Sequence, residues 1–270
     1  MSNIYKKQQI LYNKLELGDD MKALITGASS GIGRDMAKEL VSRGYEVILV
    51  ARRKEKLEKI ASELNGKAKI ISMDISNTSN CRKLYEQLKN EDIDILINNA
   101  GFGIFGKFDQ TNLDKELEMI DVNVKAVHVL TKLFLQDFKK KDKGYILNVA
   151  SSAGFLPGPL MATYYSSKAY VLNLTEAIYG ELKKDKSNVH ISVLCPGPVD
   201  TEFNSVAGVT FHTKSLSSNK VASYAINKMF KKKMIIIPGL YMKIAIFFMR
   251  FAPRKMLLNI AHDIQSKKRK

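Results

Sequence analysis

Apolar residues in this chain fall in short unbroken runs, separated by longer stretches where they recur every three or four positions. The runs are MKALITG (21–27), YEVILV (45–50), AKIISM (68–73), IDILINNAG (93–101), GYILNVAS (144–151), VHISVLCPG (189–197) and MIIIPG (234–239). Each is strand-length with little polar alternation, the pattern of a strand covered on both faces. The stretches between them read as helices. Ile32, Met36, Leu40 and Val41 share one face, with Gly44 placed to end the helix. Leu57, Ile60, Ala61 and Leu64 do the same over 54–66, and helices are expected over 77–90, 112–141 and 163–185. Strand and helix alternating in this way predict an α/β fold, a doubly wound, seven-stranded parallel sheet with helices on both faces. Its site is expected at the carboxyl ends of the strands. No linker interrupts 21–240, which reads as one domain between an N-terminal extension (1–20) and an apolar, then basic, tail (241–270).

Composition changes this picture little. Cys81 and Cys195 lie far apart and make no disulfide framework, which suits a reducing, cytoplasmic setting. His128, His190, His212 and His262 are scattered without metal-ligand spacing, so no metal is expected. The N-terminus lacks a signal-peptide core, and no apolar stretch is long enough to predict a spanning helix. The net charge of +16 is the one unusual global value. Its lysines are mixed with acids along most helices, and only KKK (231–233) and KKRK (267–270) are dense, so the charge reads mainly as solvated helix faces. No nucleic-acid motif accompanies it.

Two glycine patterns compete for a dinucleotide phosphate. GFGIFG (Gly101, Gly103, Gly106) has the literal spacing, but KFDQTN follows it and no helix opens there. TGASSGIG carries Gly27, Gly31 and Gly33 between the first strand and the first helix, where free amides and the helix dipole favour a pyrophosphate. Ser29 and Ser30 add hydroxyls. At the end of the second strand a carboxylate would take a ribose 2′-hydroxyl; the chain has Ala51, Arg52 and Arg53 instead. A planar charged fork suits a 2′-phosphate, hence NADP.

TYYSSKAY (163–170) sets three tyrosines around Lys168. Tyr164 is four positions before the lysine, Tyr165 three before and Tyr170 two after, and helical spacing alone leaves open whether any of them is chemical.

With TGASSGIG, NNAG (98–101), DVN (121–123), NVASS (148–152), YYSSK (164–168) and PGPVDT (196–201) in that order, the chain resembles the short-chain dehydrogenase/reductase family over about 21–240. The resemblance implies a Rossmann fold, an NADP-preferring oxidoreductase, a small carbonyl or secondary-alcohol substrate, and a homo-oligomer, dimer or tetramer. It also implies a tetrad of Asn123, Ser151, Tyr164 and Lys168, with Asn123 holding a water that links Lys168 to solvent. Asp74, with Ile75 beside it, matches the adenine contact. Asn99, Ala100 and Gly101 match the loop that supports the ribose. Pro196, Gly197, Val199 and Thr201 match the segment that holds the nicotinamide carboxamide, and Gly27, Ser29, Ser30, Gly31, Ile32 and Gly33 form the phosphate turn. Lys168 and the oxidised nicotinamide are expected to pull the Tyr164 phenol toward working pH. A non-catalytic NADP-binding regulator of the same fold is the alternative.

Residues 202–220 suit a mobile lid, with Phe203, Val206, Val209 and Phe211 as apolar contacts. In the tail, Lys243 and Arg250 share one helix face and leave another for Ile244, Phe247, Phe248 and Phe251. An amphipathic helix is expected over roughly 239–250, packed near the lid and bordering a hydrophobic substrate entrance. Peripheral membrane contact and dimer packing stay open. The tail also resembles, less specifically, bacterial reductases of lipid metabolism related to 3-oxoacyl and steroid reductases.

Overall fold

The computed structural model describes residues 21–208 and 215–266. The expected extension at 1–20, Val209 and Phe211 of the lid, and KKRK at 267–270 lie outside the described residues. Seven parallel strands form the main sheet: β1 (Lys22–Thr26), β2 (Glu46–Ala51), β3 (Ala68–Ser72), β4 (Ile93–Asn98), β5 (Gly144–Val149), β6 (Val189–Leu194) and β9 (Ile235–Ile236). Their order is β3-β2-β1-β4-β5-β6-β9. A small parallel pair, β7 (Val199–Asp200) and β8 (Leu216–Ser217), stands apart.

The unbroken apolar runs are explained by the pleat. Ile25 and Leu49 face one core cluster, which holds Met36 and Leu40 of α1 (Gly31–Ser42), Leu57 of α2 (Lys54–Ser62) and Val221 of α8 (Ser218–Phe230). Leu24, Ile48 and Leu96 face the opposite cluster. Leu84 of α3 (Thr78–Leu88), Leu130 of α5 (Val127–Lys141) and Leu182 of α6 (Ala162–Lys184) pack there. Both faces of the central strands are therefore dry, and a polar residue there needs a buried partner, as Asn98 and Asn148 have in each other. Gly44 ends the first helix as expected: its φ is +99° and its N–H donates to Val41 O at 2.9 Å.

The chain reverses direction across the sheet between β1 and β4, and the cleft opens at their carboxyl ends. The expected helix over 112–141 is two α-helices, α4 (Leu113–Ile120) and α5, joined by a π-helical turn at Asp121–Ala126. That turn carries Asn123. The segment expected as a lid contains a short helix, α7 (Phe203–Val206). The tail forms two helices, α9 (Leu240–Met249) and α10 (Arg254–Ser266); the sequence pattern predicted only the first.

Candidate active site

The mouth of the cleft is built around β1. Thr26 at its end accepts N–H bonds from Asn99 (3.1 Å) and Ala100 (3.2 Å), while the Asn99 amide donates to Thr26 O (3.0 Å) and Gly27 O (3.1 Å). The Asn99 loop after β4 is thereby tied to the glycine turn after β1. Gly27 and Gly33 make this approach possible. A Cβ at Gly27 would stand 2.6 Å from Ala100 Cα, and one at Gly33 would stand 2.3 Å from Asn99 Nδ2. Gly33 serves packing and does not line the cleft. Gly31, with φ +54°, faces Thr201 across it. The first turn of α1 contains no acid, and Ser30 makes no side-chain cap there, so its amides suit an anion.

The cleft has a volume of about 720 Å³. It gathers Gly27, Ser29, Ser30, Gly31, Ile32, Arg52, Arg53, Asp74, Ile75, Asn99, Ala100 and Gly101 from one half, with Ser151, Tyr164, Lys168, Pro196, Gly197, Val199 and Thr201 from the other. Arg53 reaches furthest into the phosphate turn. Its Nη2 donates to Ser29 Oγ (3.0 Å) and to Ser30 Oγ (3.3 Å). Arg52 turns to Glu118 of α4, with Nη1 2.9 Å from Oε1. Sequence reading missed two carboxylates here. Glu202 pairs with Arg53 (2.8 Å) and Lys56 (2.6 Å), and Lys56 followed by Arg53 pulls its carboxyl down to about 2. No local pattern announces pairs that join such distant positions.

At the inner end, Tyr164 and Lys168 are buried on α6. Ser151 lies beside the Tyr164 hydroxyl and draws its pKa down, while its Oγ accepts the Ala153 N–H at 3.1 Å and donates to Pro196 O at 3.5 Å. Lys168 Nζ donates to Val149 O at 2.9 Å and lies 5.9 Å from the Tyr164 ring centre. The expected depression of the phenol is not found in the chain alone. Burial pushes Tyr164 well above its ordinary value; Ser151 opposes this and Tyr165 adds a small push upward. Burial also lowers Lys168 to about 8.

The other two tyrosines have different surroundings. Tyr165 lines the cleft but receives the Gln265 amide of α10, and its ring lies against Gly158, where a Cβ would meet it at 2.3 Å. Tyr170 is outside the cleft, its hydroxyl 2.7 Å from His128 Nδ1. Asn123 is fully buried and does not line the cleft. Its side chain bonds Phe102 N (3.1 Å), Phe102 O (2.9 Å) and Ser167 Oγ (3.1 Å), which fixes the loop after β4. Beneath it, Asn98 donates to Asn148 (2.9 Å), which donates to Thr175 of α6 (3.0 Å), bracing β4, β5 and α6.

Apolar side chains surround the tyrosine. Phe203 packs at 5.3 Å from the Tyr164 ring, and a Cβ on Gly103 would touch Phe203, Met161 and Tyr164. GFGIFG, the rejected phosphate turn, thus supplies cleft wall through Phe102 and Ile104. Among the described residues no cluster suits a metal ion, and no helix is long and apolar enough to cross a membrane.

The family model for short chain dehydrogenase matches residues 21–209. An uncharacterized oxidoreductase of Staphylococcus epidermidis is 33% identical over 207 residues, 76% of this chain and 88% of that one. A very-long-chain 3-oxoacyl-CoA reductase of Neurospora crassa is 38% identical over 180 residues, 63% of this chain and 54% of that one, so the match spans about half of that relative. Among solved structures, a short-chain dehydrogenase of Sphingobium yanoikuyae in complex with NADPH superposes with a TM-score of 0.79 at 27% identity, covering 87% of this chain and 94% of that one. A short-chain dehydrogenase structure in complex with NAD, from Burkholderia phymatum, and a reductase in complex with NADH, from Brucella melitensis, match as well. The chain belongs to the short-chain dehydrogenase/reductase family of oxidoreductases.

Proposed function

We propose that this chain is an NADP-dependent reductase of carbonyl groups on hydrophobic, lipid-like substrates, or the corresponding alcohol dehydrogenase. The observation that carries the reading is the buried Tyr164–Ser151–Lys168 cluster at one end of a cleft whose other end presents Arg52 and Arg53. The residues present fit the cofactor. The amides at Gly31 and Ile32 with Ser29 and Ser30 suit the pyrophosphate, and Arg53 supported by Arg52 suits the 2′-phosphate. Asp74 and Ile75 would hold the adenine, Asn99 to Gly101 the ribose, and Pro196, Gly197, Val199 and Thr201 the carboxamide.

Those residues would hold a nicotinamide, which in its reduced form would supply hydride for the carbonyl carbon. Tyr164 then gives its hydroxyl proton to the carbonyl oxygen. A phenol whose pKa burial has raised stays protonated at neutral pH, which suits a donor. Ser151, beside the phenol, can polarise the same oxygen. Lys168, charged below about pH 8, stabilises the phenolate left behind. Asn123 positions the loop that walls the cleft. Phe102, Ile104, Met161, Phe203 and Val206 favour an apolar substrate, and the Neurospora relative's name points to 3-oxoacyl thioesters. Exposed Leu113, Leu117 and Tyr170 support a homo-oligomer, and a cytoplasmic setting fits the buried free cysteines.

The test is Tyr164→Phe in a screen of ketones, aldehydes and 3-oxoacyl thioesters followed by NADPH absorbance. Turnover of the best substrate should fall by about a thousandfold or more with NADPH binding retained. A wild type that binds NADPH and reduces nothing would favour the non-catalytic regulator.

A further inference from the structure

Helices α9 and α10 grip the site with one face and leave the other bare. On the inner side, a Cβ on Gly197 would stand 2.6 Å from Met242 Cε, Ile246 is buried, and Gln265 bonds Tyr165. On the outer side, Leu240, Tyr241, Phe247, Phe248 and Phe251 are 72, 82, 53, 63 and 73% exposed. Phe247 meets Phe248 and Phe251 edge-on, with ring centres 5.5 and 5.6 Å apart, so the aromatics form one cluster. The sequence pattern gave Phe247, Phe248 and Phe251 a helix face of their own with its partner left open; the structure buries the Met242–Ile246 side and turns the aromatics outward. A contiguous apolar patch of this kind marks an interaction surface.

A crevice of about 260 Å³ lies beside this patch, between α8, β9 and α9. Lys228, Lys233, Lys243 and Arg250 line it around Tyr224, and no carboxylate does. Lys243 Nζ donates to the Tyr224 hydroxyl at 2.9 Å, and the ammonium groups of Lys228 and Lys243 stand 5.5 and 5.4 Å from its ring centre. Many surface cations elsewhere find acids, as Lys38 finds Glu63 and Lys139 finds Asp185, while others stand singly on solvated helix faces. Here positive charge is collected and left without a counter-charge among the described residues. From 240 to 262 the sequence has four Lys and Arg residues and no Asp or Glu.

We propose that this face docks on an anionic phospholipid bilayer, with the aromatic cluster entering the boundary between headgroups and acyl chains and the basic crevice receiving a lipid phosphate. Exposed aromatics beside unpaired cations are what such a surface requires. A second copy of the chain is a poorer occupant. A two-fold interface would set these cations against themselves with no acid to meet them. The inner sides of the same helices touch Gly197 and Tyr165, so docking places the cleft about one helix diameter, ~10 Å, from lipid. The proposal stands without the reductase reading, because it concerns binding alone.

The test is sedimentation of the full chain with vesicles of phosphatidylcholine alone or mixed with phosphatidylglycerol. Partitioning should favour the anionic vesicles and weaken by about tenfold or more between low and high salt. The triple substitution Phe247→Ser, Phe248→Ser and Phe251→Ser should lower it by about a hundredfold. Lys228→Gln with Arg250→Gln should remove most of the preference for anionic lipid. Unchanged NADPH binding and melting temperature confirm that both variants are folded. Absence of binding to anionic vesicles at low salt, equal binding to both compositions, or binding indifferent to the phenylalanines would overturn the proposal. A dimer that the triple variant dissociates, without vesicle binding, would assign the face to a second copy and overturn it too.

Discussion

Lys168 is a charged group in a place that disfavours charge. It is 4% exposed and holds one backbone carbonyl, Val149 O, and burial brings its pKa down to about 8. Its folded value lies below its unfolded one, so the cost to stability is full below about pH 8 and is relieved as pH rises from there toward the ordinary value of 10.5. That cost is roughly 3 kcal/mol at neutral pH. Lys168→Met should therefore stabilise the cofactor-free chain, less what losing the bond to Val149 costs. Melting temperature at pH 7 should rise by about 5 °C, the gain should shrink near pH 10, and turnover should be lost. A lower melting temperature at pH 7 would show that the lysine is a net structural asset. Tyr165→Phe should keep most activity, because its hydroxyl is engaged by Gln265 and not by Ser151; loss of turnover equal to that of Tyr164→Phe would contradict this. At this scale the sequence was partly legible. Spacing put Tyr164 and Lys168 on one helix, but which tyrosine meets Ser151 depends on where β5 delivers the serine. The raised phenol pKa depends on burial that no local pattern contains.

The end of β2 shows what an element adds. Both arginines are visible in the sequence, but only the fold sends Arg53 to Ser29 and Ser30 and Arg52 to Glu118. Arg53→Ala should thus weaken NADPH by about ten- to a hundredfold, the scale of a lost charge-assisted phosphate contact, and leave NADH little changed. Arg52→Ala should act in the same direction with a smaller effect. Equal losses for both cofactors, measured by titration, would sink the 2′-phosphate assignment. Glu202 holds Arg53 and Lys56 while its neighbour Phe203 lies against Tyr164. A 2′-phosphate competes with that carboxylate, so Glu202→Gln should tighten NADPH several-fold; weaker binding would mean that Glu202 orders the arginine instead. The π-turn at Asp121–Ala126 is one element that sequence reading passed over. The apolar periodicity on either side continues almost unbroken, and the turn's effect is to carry Asn123 to the backbone of Phe102.

Across the whole molecule, the strands were legible because a parallel sheet buried on both sides demands continuous apolar runs, and the central strands β1, β2, β4, β5 and β6 satisfy it over most of their length, while the edge strand β3 buries only Ile71. The tail was less so. Its apolar residues occur almost all the way around α9, and composition alone does not say which side the domain takes. Met242 and Ile246 face inward because Gly197 and the Ser152–Phe155 turn leave room there. The account joins a nicotinamide cleft, a buried phenol and an apolar substrate wall, and its central claim is NADP-dependent reduction of a hydrophobic carbonyl. The most direct measurement is the initial rate of cofactor oxidation with one long-chain 3-oxoacyl thioester, using NADPH and NADH in parallel. The account predicts turnover with NADPH and a kcat/KM lower by about tenfold or more with NADH, the cost of losing the arginine contacts. Equal rates with the two cofactors, or no oxidation of NADPH under conditions where it binds, would contradict it.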